Sequence, residues 1–290
     1  MAQYQLALAF KWGYKMLYLL TLNWQGKNKL IRLKNSLLPA LENVDFKWLI
    51  KDNASTDGSI EEIKSWNNQN IIPISYPHNR DSYAQGMNFL FKEAASKSND
   101  LILTLNNDIQ FNDRTSLKNM INIIEKDPSV GQVGAKLNYF DTDKIQHAGV
   151  LCSMSSRGLP YHFRLNQKEE DRDRQNRIFP AVTGAVALMK SDVFENCFTN
   201  KSGNKGFCED YIWAFEDIDM SFRIKYLLGK KIVNCGQTNI YHEESGSLKV
   251  NPVNKLFMNH NIKTFITHWH KHIDVKEAEK YQDPKYNLYK

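Results

Sequence analysis

The sequence predicts an α/β fold, a mainly parallel β-sheet flanked by helices and followed by a C-terminal helical extension. Three observations lead there. Through the first half, short β-branched or apolar runs alternate with longer amphipathic stretches, the pattern of βαβ units. One run, Leu101 to Leu105, is apolar on both faces, as a strand covered from both sides must be. Each of the first four strand-like runs is also followed by polar residues, and ligands of open α/β sheets bind beyond the carboxyl ends of the strands.

Residues 1–15 precede a second methionine, Met16, and are read as an N-terminal extension outside the site. Met16 to Leu22 is the first strand and Lys27 to Leu41 the first helix. Lys47 to Lys51 is the second strand, and the turn-rich Asp52 to Ser59 leads into a helix reaching Trp66, capped by Asp57 or Ser59. Ile71 to Ser75, Tyr83 to Ser96 and Leu101 to Leu105 complete the pattern as strand, helix and strand. Beyond them, Gln132 to Leu137 and Ala181 to Met189 read as strands and Ser191 to Cys197 as a helix. Phe215 to Leu228 has helical spacing, Lys231 to Asn234 and Thr238 to Tyr241 are short strands, and Val253 to Lys271 is a terminal helix. Ser153 to Arg177 is polar and charge-rich, so a long loop or lid is expected; Thr199 to Gly206 reads as a loop and the last residues as a loose tail. There is no internal repeat. The expected division is a domain over 16–250, with a first half over 16–110 and a second over 111–250, then a helix and tail over 251–290.

At 290 residues with 42% apolar composition the chain can bury a substantial core, and disorder is not expected. The net charge of +6 is spread along the chain without a long basic block, so it is compatible with a peripheral contact at an anionic membrane face and does not predict nucleic-acid binding. The four cysteines form no C-x-x-C pair, which argues against a zinc site or a disulfide framework and for a reducing, cytoplasmic compartment. No apolar run is long enough for a membrane span.

Four constellations carry chemistry. Lys51 to Ser59 (K-D-N-A-S-T-D-G-S) runs from a strand end into a helix; an acid there accepts from a base N–H or a ribose hydroxyl, or it serves as an Asx-turn and cap. Asn106-Asn107-Asp108 ends the buried strand, where one carboxylate suffices for a hard divalent cation that takes its other ligands from phosphate and water; a plain turn is the alternative. Glu216-Asp217-Ile218-Asp219 places three acids within four residues at a helix start, more than the helix dipole asks for, and a base held there would be rigidly presented. Tyr241 to Ser247 (Y-H-E-E-S-G-S) offers an imidazole to a metal and donors to phosphate, unless His242 is an ordinary surface residue. His268 and His272 share a helical face, but no acid is evident beside them, so no site is assigned there.

In order, these pieces resemble the nucleotide-sugar transferases of the GT-A (Rossmann-like) fold, glycosyltransferase family 2 and its rhamnosyltransferase-like members. The matches are Asn23-Trp24 at a strand end, Asp52 to Ser59, Tyr83-Ala84-Gln85-Gly86-Met87-Asn88, Asn106 to Asp108, Thr183-Gly184-Ala185, Glu216 to Met220, and Tyr241 to Ser247. The resemblance implies an inverting transfer of a sugar from a UDP- or dTDP-linked donor to a hydroxyl of a glycan or other acceptor, with Mn²⁺ or Mg²⁺ as cofactor. By the same resemblance, Asn23, Asp52, Asn53, Asp57, Asn88, Asn106 and Asn107 are expected around the donor, Asp108 and His242 at the metal, and Asp217 as the general base with Glu216 beside it. The sequence departs from the family pattern at Asn106, which brings no charge, at Asn79-Arg80-Asp81-Ser82, where N-x-G is usual, and at Phe207-Cys208-Glu209, where Cys208 is given no role. Two rival readings are a nucleotidyltransferase, for which Asn23-Trp24-Gln25-Gly26 makes a poor phosphate loop, and a catalytically silent carbohydrate- or nucleic-acid-binding protein.

Overall fold

The computed structural model describes residues 13–140, 142–197, 205–212, 214–243 and 254–290. The expected contributions of Glu244 to Ser247, most of the loop from Thr199, and the first residue of the terminal helix, Val253, lie outside the described residues, as does most of the N-terminal extension.

In chain order the first half contains β1 (Leu17–Asn23), α1 (Lys27–Leu37), β2 (Phe46–Asn53), α2 (Ser59–Ser65), β3 (Ile71–Tyr76), α3 (Tyr83–Ala94) and β4 (Leu101–Leu105). Then come β5 (Ile109–Phe111), α4 (Ser116–Lys126), β6 (Val130–Ala135), β7 (Leu137–Tyr139), β8 (Ile145–His147), β9 (Val150–Cys152), β10 (Pro160–His162), β11 (Arg177–Phe179), β12 (Val186–Lys190) and α5 (Ser191–Glu195). The chain finishes with α6 (Glu216–Tyr226), β13 (Lys231–Cys235), β14 (Ile240–His242), α7 (Asn254–Trp269) and α8 (Glu277–Lys280).

Eight strands form one sheet in the order β11-β13-β6-β12-β4-β1-β2-β3. The pairs β1–β2, β1–β4, β2–β3 and β6–β13 are parallel, whereas β12 runs antiparallel to both β4 and β6, and β11 antiparallel to β13. Alternation along the strands covers both faces. Leu17, Leu19, Trp48, Ile50, Leu101 and Leu103 pack under α1 and α4, while Leu20, Leu49, Ile102 and Met189 pack under α3, α5 and α6. A second sheet, β5-β14-β7-β8, and the β9–β10 hairpin build out the second half. Among the described residues no helix is long and apolar enough to cross a membrane.

Several expectations are corrected. The Ser153–Arg177 segment is not an open lid: it contains β10, buries Phe163, and anchors the buried Arg164 guanidinium on Asp173 at 2.9 Å. The tail is not loose. Tyr281 is buried and its hydroxyl donates to Ile178 O at 2.7 Å, while Arg177 donates to Asp283 O and Tyr286 O. The strand expected from Ala181 starts only at Val186, because Thr183 and Gly184 turn their backbone toward other partners. The cap of α2 is Gly58 in the left-handed region (φ 81°), with Asp57 accepting from Ser59 N behind it and from Lys27 N at the start of α1. The short strand expected over Thr238 to Tyr241 is β14 of the small sheet, whereas the amphipathic α4 and the three-residue β5, β7 and β8 were not anticipated.

Candidate active site

The order of the main sheet reverses at β1, which has β2 on one side and β4 on the other, and the loops leaving these strands open a crevice there. Asn23 closes β1 by donating to Asp52 Oδ2 at 2.7 Å and accepting from Asn107 Nδ2 at 2.8 Å, so three strand ends are joined through one amide. Asp52 Oδ1 in turn accepts from Ser55 N at 2.9 Å, which shapes the following turn. Lys51, fully buried, sits 3.5 Å from the Tyr76 ring centre and donates to Asn53 Oδ1 and to Asp81 Oδ2 at 2.5 and 3.0 Å. That ion pair fastens the unusual Asn79–Ser82 loop to the sheet.

Two of the expected donor residues are engaged elsewhere. Asp57 spends its oxygens on the starts of α1 and α2; burial works against its charge, but the Ser59 and Lys27 hydrogen bonds hold its carboxyl below the usual range. Asn88 has both amide hydrogens on Phe207 O and Glu209 Oε1 and its carbonyl on Phe207 N, so it clamps the Phe207–Glu209 loop.

Because β12 is antiparallel to β4, its entry, Thr183-Gly184-Ala185, arrives at the same sheet edge as the exits of the parallel strands. Gly184 N donates to Asp217 Oδ2 at 2.9 Å, and the first turn of α6 supplies the other oxygen's partner, Ile218 N to Asp217 Oδ1 at 2.9 Å. A side chain at Gly184 would put its Cβ 3.0 Å from Asp217 Cβ, so glycine is what permits the approach. The turn into α6 uses two successive left-handed residues, Ala214 (φ 64°) and Phe215 (φ 74°). The buried Asn261 of α7 braces that turn, accepting from Ile212 N at 3.1 Å and donating to Ala214 O at 3.0 Å.

Asp217, Glu216, Asn106, Thr183, Tyr83, His162 and His242 face one cavity of about 440 Å³. His242 reaches it from β14, which pairs with β5 immediately after the Asn106–Asp108 turn. His242 Nε2 and Asp108 Oδ1 face each other at 3.1 Å, yet both atoms are buried without a hydrogen-bond partner among the described residues. His242 Nδ1 lies 2.6 Å from Gln146 Oε1, which as an acceptor requires the proton on Nδ1 and leaves a lone pair on Nε2 aimed at the carboxylate. Either a proton on Nε2 or a cation between the two atoms would satisfy both. Ligands at about 2.1 Å from a divalent cation stand about 3 Å apart, so Asp108 and His242 fit as a partial metal site. Among the described residues no group of three His, Cys, Asp or Glu side chains forms a protein-only cage, so the remaining ligands would come from water or substrate. Burial raises the Asp108 carboxyl, but His242 and Lys29, the latter 3.7 Å away, hold it below the usual carboxylate range.

The sequence reading missed His147 on β8 and His162 on β10, whose Nδ1 atoms lie 3.2 Å apart. Burial pushes both imidazoles below the usual histidine range. Nothing in the local sequence marks them; only the long-range folding of the β9–β10 hairpin brings His162 to the cavity. The acid absent from the reading of His268 is Asp219, 3.6 Å away. Asp219 is a structural hub rather than part of the cavity, taking hydrogen bonds from Trp269 Nε1, Tyr211 Oη and Arg223 Nε at 2.7, 3.2 and 2.5 Å.

A doubly covered, mainly parallel sheet, one antiparallel strand inserted beside β4, a carboxylate at the β4 exit and a C-terminal helical segment together make the GT-A fold. The chain belongs to glycosyl transferase family 2, whose model matches residues 24–198. Among solved structures it resembles the mannosyltransferase PcManGT of Pyrobaculum calidifontis, described in complex with GDP-Man and Mn²⁺, at TM-score 0.56 and 13% identity over 81% of this chain and 61% of that one. It also resembles GalNAc-T7, described with UDP, GalNAc and Mn²⁺, at TM-score 0.60 and 13% identity over 80% of this chain and 44% of that one. A third is S. aureus TarS 1–349 in complex with UDP, at TM-score 0.53 and 16% identity over 92% of this chain and 68% of that one. The chain thus spans about three fifths of the first and less than half of the second. No curated protein matches it.

Proposed function

We propose that the protein is an inverting, divalent-cation-dependent glycosyltransferase that moves a sugar from a nucleotide diphosphate donor to a hydroxyl of a glycan or other acceptor. The observation that carries this reading is the pair of orphaned atoms, Asp108 Oδ1 and His242 Nε2, beside the cavity that Asp217 also faces. Family membership and the Mn²⁺, GDP-Man and UDP named for similar structures support it.

Asp108 and His242 would hold Mn²⁺ or Mg²⁺, which would neutralise charge building on the departing diphosphate. Asp217, its carboxylate steadied by Gly184 N and Ile218 N, takes the proton of the acceptor hydroxyl as that oxygen bonds to the anomeric carbon. The bond from that carbon to the diphosphate breaks with its electron pair leaving on the diphosphate. Attack from the face opposite the leaving group inverts the centre. Asn23, Asp52 and Asn107 shape the donor side, with Asn53 and Asn106 adjoining them, and the second half of the chain forms the acceptor side. A cytoplasmic location, with peripheral contact at the inner membrane face, goes with this reading.

The test is to incubate the protein with Mn²⁺ and a panel of UDP-, GDP- and dTDP-sugars and to measure nucleotide diphosphate release. Release that requires the cation and disappears in Asp217→Asn is expected. Absence of release with every donor, together with binding of a glycan, would favour a silent binding protein.

A further inference from the structure

Glu216 is the first residue of α6 and one of the walls of the cavity, yet it does nothing visible for the fold. Its side chain is 7% exposed, and Oε2 is buried without a hydrogen-bond partner among the described residues. The carboxyl's one hydrogen bond comes from its own backbone N–H, and a buried carboxylate that meets no cation and leaves an oxygen unanswered is disfavoured. The charged groups acting on Glu216 are themselves acids, Asp217 and Asp219 on its own helix. Arg223 is committed to Asp219. From the other elements, Tyr83 of α3, His162 of β10 and His242 of β14 share the cavity. Burial lowers the His162 imidazole, and His242 is turned to Asp108 and Gln146 rather than to Glu216. The strained Ala214–Phe215 turn fixes where the helix begins, and with it where this carboxyl points.

We propose that Glu216 is a neutral carboxylic acid whose hydroxyl donates a hydrogen bond to an oxygen of the carbohydrate bound in the cavity, a binding and specificity role separate from proton abstraction by Asp217. This rests on the transfer reading above and deepens it. Two adjacent acids then do opposite work: Asp217, held by the backbone N–H groups of Gly184 and Ile218, accepts, while Glu216, with one oxygen unanswered, keeps its proton and gives. Burial first, then the Asp217 charge, raise the Glu216 carboxyl to about 8, in line with that division.

The test compares Glu216→Gln, which keeps a neutral donor of similar shape, with Glu216→Ala, which keeps none. At pH 7 the glutamine variant is expected to retain turnover within about threefold, and the alanine variant to raise KM for the carbohydrate about tenfold with little change in kcat. Wild-type kcat/KM should fall as pH rises past about 8 and the donor ionises, and that alkaline limb should vanish in Glu216→Gln. A glutamine variant as impaired as alanine, or one that keeps the alkaline limb, overturns the proposal. Independently of turnover, ¹³C-carboxyl NMR of the Mg²⁺-loaded protein should show one glutamate, absent in Glu216→Gln, titrating well above the others. A Glu216 resonance titrating in the ordinary carboxylate range overturns the proposal even if transfer is confirmed. If that resonance titrates high while no nucleotide sugar turns over, the transfer reading fails and the neutral acid stands. Thermal midpoints of both variants separate misfolding from function, and the NMR titration needs only the wild type and the glutamine variant.

Discussion

The two halves of the crevice are built on opposite hydrogen-bonding principles. At the ends of β1 and β2, Asn23 joins Asp52 and Asn107 and Lys51 joins Asp81, through hydrogen bonds of 2.7–3.0 Å. Around the β4 exit, β14 and the start of α6, Asp108, His242 and Glu216 each present a buried atom with no hydrogen-bond partner among the described residues. A closed network holds a backbone shape, and its capacity is exhausted by doing so. An open one retains unsatisfied donors and acceptors, which is costly in an empty protein and useful only if something arrives to satisfy them. The difference separates side chains spent on the fold from side chains left open to a ligand.

The comparison can be broken at several points. Asp217→Asn should cost about 10²–10⁴-fold in transfer while leaving the affinity for UDP and Mn²⁺ nearly intact, as measured by turnover and by calorimetry. Unchanged turnover would remove the base from this position. Asp219→Asn, in the closed core behind α6, should lose about 3–5 kcal/mol of stability in denaturant unfolding because it leaves the Arg223 guanidinium buried and unpaired. Burial raises the Asp219 carboxyl, but His268, Arg223 and Trp269 hold it below the usual range. Its contribution is therefore complete above the unfolded value of about 3.9 and is lost as pH falls through the lower folded value, so wild type should show an acid-unfolding limb that the variant lacks.

His242→Ala should raise the Mn²⁺ concentration needed for half-maximal turnover about 10–100-fold, and Gln146→Leu should shift it in the same direction by less, since Gln146 only orients the ring. An unchanged metal requirement in both would leave the facing pair of atoms without a cation. The smallest effect is expected from Asn23→Ala, about 1–3 kcal/mol in unfolding free energy, because Asp52 and Asn107 lose their shared partner.

Legibility in the sequence followed periodicity. The strands from Met16 to Leu105 and their helices could be read because burial on both faces leaves apolar runs separated by amphipathic ones, and the polar residues at their ends fall at the switch point. Helix α4 carried a usable signal that went unread: Asp113 accepts from Thr115 N and Ser116 N just ahead of a helical apolar stripe. In the small sheet β14 was read, but β5, β7 and β8 are three residues each, too short for a two-residue period to show. Asp108, Asp217 and His242 were found as motifs; Asp217 and His242 border a cavity that joins elements more than a hundred residues apart, and Asp108 meets His242 beside it. Sequence could not tell that Asn88 and Asp57 would be used up by neighbouring backbone, or that Glu216 would be left unanswered, since both depend on which loops meet them.

The bracing of Ala214 and Ile212 by Asn261 ties chemistry to architecture over a long path. One amide near the far end of the chain keeps the hinge ahead of the paired acids in its contorted form. Shortening the protein from that end, or prying its last long helix away, would therefore loosen the crevice from behind without touching a single residue that lines it.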